Sequence, residues 1–205
     1  MLLPGAALPL HIFEPRYREM IGECLEFKRA FGVVRARELP EQREQEETRI
    51  ESPRMADIGC TAEIISVVNK YPDGRMNIVT RGLQRFEILE INRSRPFLQA
   101  DVLYLQDTPG SPLPDKITRA VALQGEILTL AGAQAEGSTS VRDGLLSFHL
   151  ASSLPLDLDF KQRLLEISSE SERIEALISF FEAVLPNLRR ATHVRKKAGG
   201  NGHAL

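Results

Sequence analysis

The chain has 205 residues and a formal net charge of -2, with 42% hydrophobic and 26% charged residues. That composition supports one or two folded domains with real cores and argues against a disordered chain. A slightly acidic balance gives no global steering toward nucleic acid or an anionic membrane, and two cysteines, Cys24 and Cys60, are too few for a disulfide scaffold, so a reducing cytoplasm is expected.

The opening MLLPGAALPLHIF is apolar but lacks a basic flank and is broken by Pro4, Gly5 and Pro9, so it does not read as a signal peptide. No apolar run reaches the roughly 18 residues that cross a bilayer. The first segment reads as a loop leading into a helix. Pro15 suits the first helical position, where its missing N–H costs nothing. Tyr17, Met20, Ile21, Cys24 and Phe27 then recur at helical spacing. Glu14, just before Pro15, suits the positive end of the helix dipole. Phe31 to Arg35 reads as a short strand. Arg35 to Arg54 is charged, holds Pro40 and Pro53, and reads as a solvated loop.

From Asp57 to Leu105 the pattern becomes β. GCTAEIISVV runs into Tyr71-Pro72-Asp73-Gly74, a turn sequence, and RMNIVTRG follows, so a hairpin is expected. LQRFEILEI and FLQADVLYL read as two further strands, giving a mostly antiparallel sheet or partial barrel. DTPGSPLPD, from Asp107, reads as a linker. Beyond it four helices are expected. Their apolar positions are Ile117, Ala120, Val121, Gln124, Ile127 and Leu128; Val141, Leu145 and Phe148; Leu156, Phe160, Leu164 and Ile167; and Ile174, Leu177, Ile178, Phe181 and Leu185. Ser169 and Glu172 have capping-box spacing before the last helix, and Pro186 is expected to end it. The fold class expected is α+β. Residues 1–108 would form a β subdomain, residues 115–188 a helical bundle, and residues 189–205 a disordered basic tail.

The motifs of catalysis are missing. There is no G-x-x-x-x-G-K-[ST], no G-x-G-x-x-G and no G-x-S-x-G. His11, His149, His193 and His203 are scattered, and no pair has the spacing of a helical zinc site. Cys24 falls on the apolar face of the first helix, where a thiol behaves as a small hydrophobe rather than a nucleophile. The expectation is therefore no enzyme, no cofactor and no metal.

Five ordered stretches resemble one family: LPGAALPLHIFEPRYREMI with FGVV, DIGCTAEI, YPDGRMNIVTRGLQRFEI, LPLDLDFKQRLLEI and SERIEALISFFEAVLP. In order and spacing they are similar to the N-terminal substrate-binding domain of Lon-type ATP-dependent proteases, over about Leu2 to Pro186. The resemblance implies a PUA-like, mostly antiparallel β pseudo-barrel followed by an α-helical bundle. It also implies a bacterial substrate-binding domain without the ATPase and peptidase modules. Family members open with a P-L-F-P-L strand ahead of L-x-P-G. Here Met1 stands almost on that motif, so either the start lies upstream or the first strand is shortened.

The implied function is a non-catalytic polypeptide-binding module, an adaptor or regulator of ATP-dependent proteolysis. Its implied partners are unfolded or damaged polypeptides and a separate protease, with no membrane. Exposed apolar side chains or a free sheet edge would serve that task. Candidate polypeptide-binding residues are Leu10, Ile12, Phe13 and Tyr17 in the opening segment, and Arg81, Gly82 and Arg85 at a strand corner. For each there is a plain structural reading beside it: Leu10, Ile12 and Phe13 as core plugs, Gly82 as a tight backbone approach, Arg16 and Arg85 as partners of Glu14. The alternative function is an RNA-binding module of PUA-like type. The acidic balance and the lack of aromatic residues among the basic tail charges argue against nucleic acid.

Overall fold

The computed structural model describes residues 1–36, 55–133 and 145–199, with side chains to residue 193. Its order is β1 (Ala7–Ile12), α1 (Pro15–Phe27), β2 (Phe31–Val33), β3 (Ile58–Lys70), β4 (Met76–Asn92), β5 (Gln99–Tyr104), α2 (Pro114–Ala131), α3 (Leu146–Ser152), α4 (Leu158–Glu166) and α5 (Glu170–Gly199). The expected loop between Arg35 and Arg54 lies largely outside the described residues, as does Val141.

One compact unit comprises Met1–Gln106 together with Asp157–Glu166. Its five strands form one sheet along the path β1-β4-β3-β2, with β5 also on β4, and all pairings are antiparallel. Long β4 makes this possible. Its first half pairs with β1 from Met76 to Arg81, and its second half pairs with β5 from Phe86 to Asn92. RMNIVTRG and LQRFEILEI are thus one strand rather than two. The β3–β4 hairpin closes as the turn sequence predicts: the Gly74 N–H bonds the Tyr71 carbonyl at 2.9 Å, and Gly74 has φ +87°.

The opening stretch differs from the expected loop. Leu8 and Leu10 are half-buried while Ala7, Pro9 and His11 are exposed, a period-two alternation, and the segment gains its hydrogen bonds by lying on β4. Helix α1 starts at Pro15 as expected and stops where Lys28 turns left-handed at φ 51°. Ile21 on α1 packs with Ile12, Met76 and Ile78, and with half-buried Leu10, Met20, Phe31 and Ile64, to form the core under the sheet. The Arg95 guanidinium ties the β4–β5 turn to α1 through Glu19, at 2.8 Å, and Glu23.

Four irregularities interrupt the strand registers, three between β3 and β4, the first of them between Cys60 and Ala62, and one between β4 and β5. On β3, Ile65 and Val68 are skipped in the pairing with β4; on β4, Leu89 is skipped in the pairing with β5. Each is a bulge, which turns the extra side chain off the regular face. All three of these apolar residues are exposed.

The second unit comprises Asp107–Leu156 and Ile167–Leu205. Helices α2, α3 and α5 bury Ala120, Leu123, Ile127, Leu128, Phe148, Leu150, Ala151, Ile174, Leu177, Phe181 and Leu185. Val121, expected in the core, is exposed, and Leu123 is buried instead. Two further differences concern the expected helical region. Helix α4, expected within a bundle spanning 115–188, groups with the β-sheet unit: Gln162 Nε2 bonds the Ile58 carbonyl at 3.2 Å and Arg35 pairs with Asp159 at 2.6 Å. Helix α5 runs through Pro186 to Gly199, so residues 189–199 are helical rather than part of a disordered tail. A proline in a helix removes one hydrogen bond. Here buried Leu185 and the Arg189–Glu126 pair, at 2.7 Å, hold the flanking turns against α2. The class is α+β, as expected.

Candidate functional site

Antiparallel pairing puts registered residues on the same face of a sheet. His11 is opposite Asn77, and Asn77 is opposite Asn69, so these residues share the face away from the Ile12–Met76–Ile78 core. At the hairpin end of that face a small aromatic cluster forms. The Phe13 ring stacks on His11 at 5.9 Å between centroids, and the Tyr71 ring stands edge-on to His11 at 6.4 Å. His11 Nδ1–H donates to Asn77 Oδ1 at 2.6 Å, and Asn77 Nδ2 donates to the Tyr71 hydroxyl at 3.3 Å. The Arg75 guanidinium lies 5.5 Å from the Tyr71 ring, and Arg75 also pairs with Asp73 at 2.7 Å. The arrangement is a polar relay that fixes three rings in place while leaving Phe13 58% exposed. Rigid aromatic area open to water is the kind of surface that gains free energy by covering an apolar side chain.

The seven candidate residues fall into distinct environments. Leu10 is half-buried against the core under the sheet and Ile12 is 7% exposed within it. Phe13 follows β1 and is exposed. Tyr17 sits on the first turn of α1 with the Arg16 guanidinium 4.6 Å from its ring. Arg16 pairs with Glu14 at 2.8 Å, and Glu14 makes no side-chain cap on α1. Arg81 is exposed and pairs across the strands with Glu63 at 3.1 Å. Gly82 sits under the N-terminal segment: its N–H bonds the Ala6 carbonyl and its carbonyl accepts from Gly5 N–H, both at 2.9 Å. A Cβ there would lie 2.2 Å from the Leu3 carbonyl oxygen. Arg85 is 3% exposed and donates to the Leu165 carbonyl at 2.8 Å rather than to Glu14. Phe13 is therefore brought together with His11 and Tyr71, which sequence reasoning did not select. The available signal was alternation: in a strand holding Leu10 and Ile12 inward, His11 must face out.

Both thiols are held toward the protonated form. Burial pushes the Cys60 thiol from its ordinary value of 9.0 up to about 12, and burial together with the Glu23 carboxylate raises that of Cys24. Alkylation at pH 8 should modify Cys60 only after unfolding, read by mass spectrometry of native and urea-treated protein. The native state holds the Cys60 proton where the unfolded chain has released it. Its contribution to stability is thus complete below pH 9 and is lost as the pH rises toward 12. No group of three or more potential metal ligands occurs among the described residues. No helix among them is long and apolar enough to cross a membrane.

The Lon N-terminal domain protein of Xanthomonas campestris superposes with a TM-score of 0.62 over 87% of this chain and 91% of its own, at 23% identity. The N-terminal domain of the Mycobacterium avium complex Lon protease gives 0.59 over 89% and 92%, at 18% identity. These likenesses show the fold. In sequence, the Lon protease of Parabacteroides distasonis is 32% identical over 121 residues, 58% of this chain and 13% of that protease. The Lon protease of Amoebophilus asiaticus is 24% identical over 189 residues, 88% of this chain and 22% of its own length. The chain thus spans under a quarter of these two relatives. The family model described as the ATP-dependent protease La (LON) substrate-binding domain matches residues 1–182, and the chain belongs to that family.

Proposed function

We propose that this chain is a non-catalytic polypeptide-binding module that takes exposed apolar segments of unfolded or damaged chains on the aromatic corner of its sheet. The observation that carries the reading is Phe13, more than half exposed yet held in place by its stack on His11 beside Tyr71. Membership in a substrate-binding family supports the polypeptide as ligand. Tyr17 and Arg81, both exposed, are further candidates for contact, whereas Leu10, Ile12, Gly82 and Arg85 act within the fold as supports. Work of this kind fits an adaptor or regulator of a separate ATP-dependent protease in the cytoplasm, where both cysteines stay reduced.

The test is anisotropy of a labelled, reduced and carboxymethylated protein with the intact chain, and with Phe13→Ala and Tyr71→Ala. Micromolar binding that changes little with salt is expected in the parent, and each truncation should weaken it about tenfold, the scale of an aromatic hot spot. Arg81→Ala, which removes an exposed pair, should cost under about 1 kcal/mol of stability. Single-stranded RNA is the contrasting probe. Tight RNA binding that falls steeply with salt, with no affinity for the unfolded protein, would replace this reading by the nucleic-acid one. An adaptor should also speed degradation of the same unfolded protein by a Lon protease. No change in that rate would remove the adaptor role and leave the binding module standing.

A further inference from the structure

Proteins blunt the edges of their sheets, because a row of unpaired N–H and C=O groups pairs readily with another chain. Three of the strands here carry such devices. Strand β1 contains Pro9, which lacks an N–H. Strand β2 has three residues. Strand β3 is bulged at Ile65 and Val68. Strand β5 has none of these. It runs six residues without a skipped position, pairs only with β4, and no described residue pairs with its outer edge.

The two faces of the β4–β5 ribbon differ in chemistry. The pairings Glu87–Leu103 and Glu90–Asp101 put three carboxylates on one face. None of the three forms an ion pair among the described residues. The pairings Phe86–Tyr104, Ile88–Val102 and Ile91–Ala100 make the other face apolar. No residue of β5 is buried, and Tyr104 is 54% exposed.

From this we infer that the outer edge of β5 is a docking site for an extended segment of a partner polypeptide in which lysine or arginine alternates with apolar residues. Main-chain hydrogen bonds to β5 would hold the segment in register, as in strand addition. Period-two alternation would then set its basic side chains on the face of Asp101, with Glu87 and Glu90 one strand further in on the same face, and its apolar ones beside Val102 and Tyr104. Charge also decides against a second copy of this chain. An antiparallel β5–β5 pair would bring two sets of these carboxylates onto one face, where like charges repel. This edge stands apart from the Phe13 corner and rests on separate residues.

The test is anisotropy with the intact chain and a labelled synthetic peptide of alternating lysine and valine. Two analogues carry N-methyl groups on alternate residues, one set for each edge of the peptide strand. The parent peptide should bind, one analogue should bind about as well, and the other should lose at least about tenfold, because only one peptide edge meets β5. Asp101→Lys should weaken the parent peptide about tenfold at low salt and less at high salt. Phe13→Ala should leave it unchanged. Equal binding of all three peptides, or of none, overturns the proposal. So does a loss in Phe13→Ala without one in Asp101→Lys, which would assign the peptide to the aromatic corner instead.

Discussion

Replacing Arg173 with methionine should cost about 3–5 kcal/mol of stability, the range found when one partner of a buried ion pair is removed. Arg173 on α5 has no exposed surface. Its guanidinium donates from Nε to Ser147 Oγ at 2.9 Å, from Nη1 to the Ile167 carbonyl at 2.8 Å, and from Nη2 to Glu170 at 2.7 Å and to Asp107. It also lies 4.3 Å from the Phe148 ring centroid. Glu170, itself buried, accepts the Ser147 N–H at 2.8 Å and its hydroxyl at 2.6 Å. Removing the arginine leaves the Glu170 carboxylate buried with only neutral donors from Ser147, and a buried charge without a counter-charge is expensive. The urea midpoint should fall accordingly. The double variant Arg173→Met with Glu170→Leu should recover part of the loss, because it removes both charges. A drop in the single variant no larger than that of a surface substitution, about 0.5 kcal/mol, would show that the cluster does not hold this unit together.

Gly82→Ala should be the next most damaging change, at about 3 kcal/mol, the upper end of overpacking. The added Cβ would stand 2.2 Å from the Leu3 carbonyl oxygen and 3.2 Å from Cys60 Sγ. The first of those atoms is backbone, so the N-terminal segment must move. Leu2 and Leu3, buried there, would lose their packing. Gly22→Ala is the control. Nothing lies within 4 Å of its Cβ position, and it sits within α1, where alanine is favoured over glycine by up to about 1 kcal/mol. Thermal unfolding should therefore move in opposite directions for the two variants. A neutral Gly82→Ala would mean that the segment yields freely, and would return Gly82 to the set of surface candidates.

Both changes bear on how much of the molecule could be read in its sequence. The β3–β4 hairpin was legible because Pro72 and Gly74 demand a turn between two β-branched runs. Helix α1 was legible because Pro15 marks a start and Ile21 falls on its apolar face. Strand β1 was not, because Pro4, Gly5 and Pro9 look like loop until β4 supplies the pairing groups. The passage of α5 through Pro186 was also hidden. A proline's local cost is visible in sequence, but the burial of Leu185 beside it and the Arg189–Glu126 pair on the next turn depend on residues far apart in the chain.

The candidate site shows the same division. Phe13 could be nominated from LPLHIFEPRY, but its neighbours His11 and Tyr71 meet only because the hairpin turn and the end of β1 converge. Arg85 and Gly82 look like surface residues in a list and are buried in the fold. The sequence by itself determined the family, the α+β class and the absence of known catalytic motifs. These depend on local spacing, turn chemistry and residue order, all of which survive in one dimension. Only the tertiary structure decided that Leu123 rather than Val121 is core, which rings stack, and which sheet edge has no partner among the described residues. Burial and strand pairing are properties of contacts between distant segments, and local spacing and turn chemistry encode them only in part.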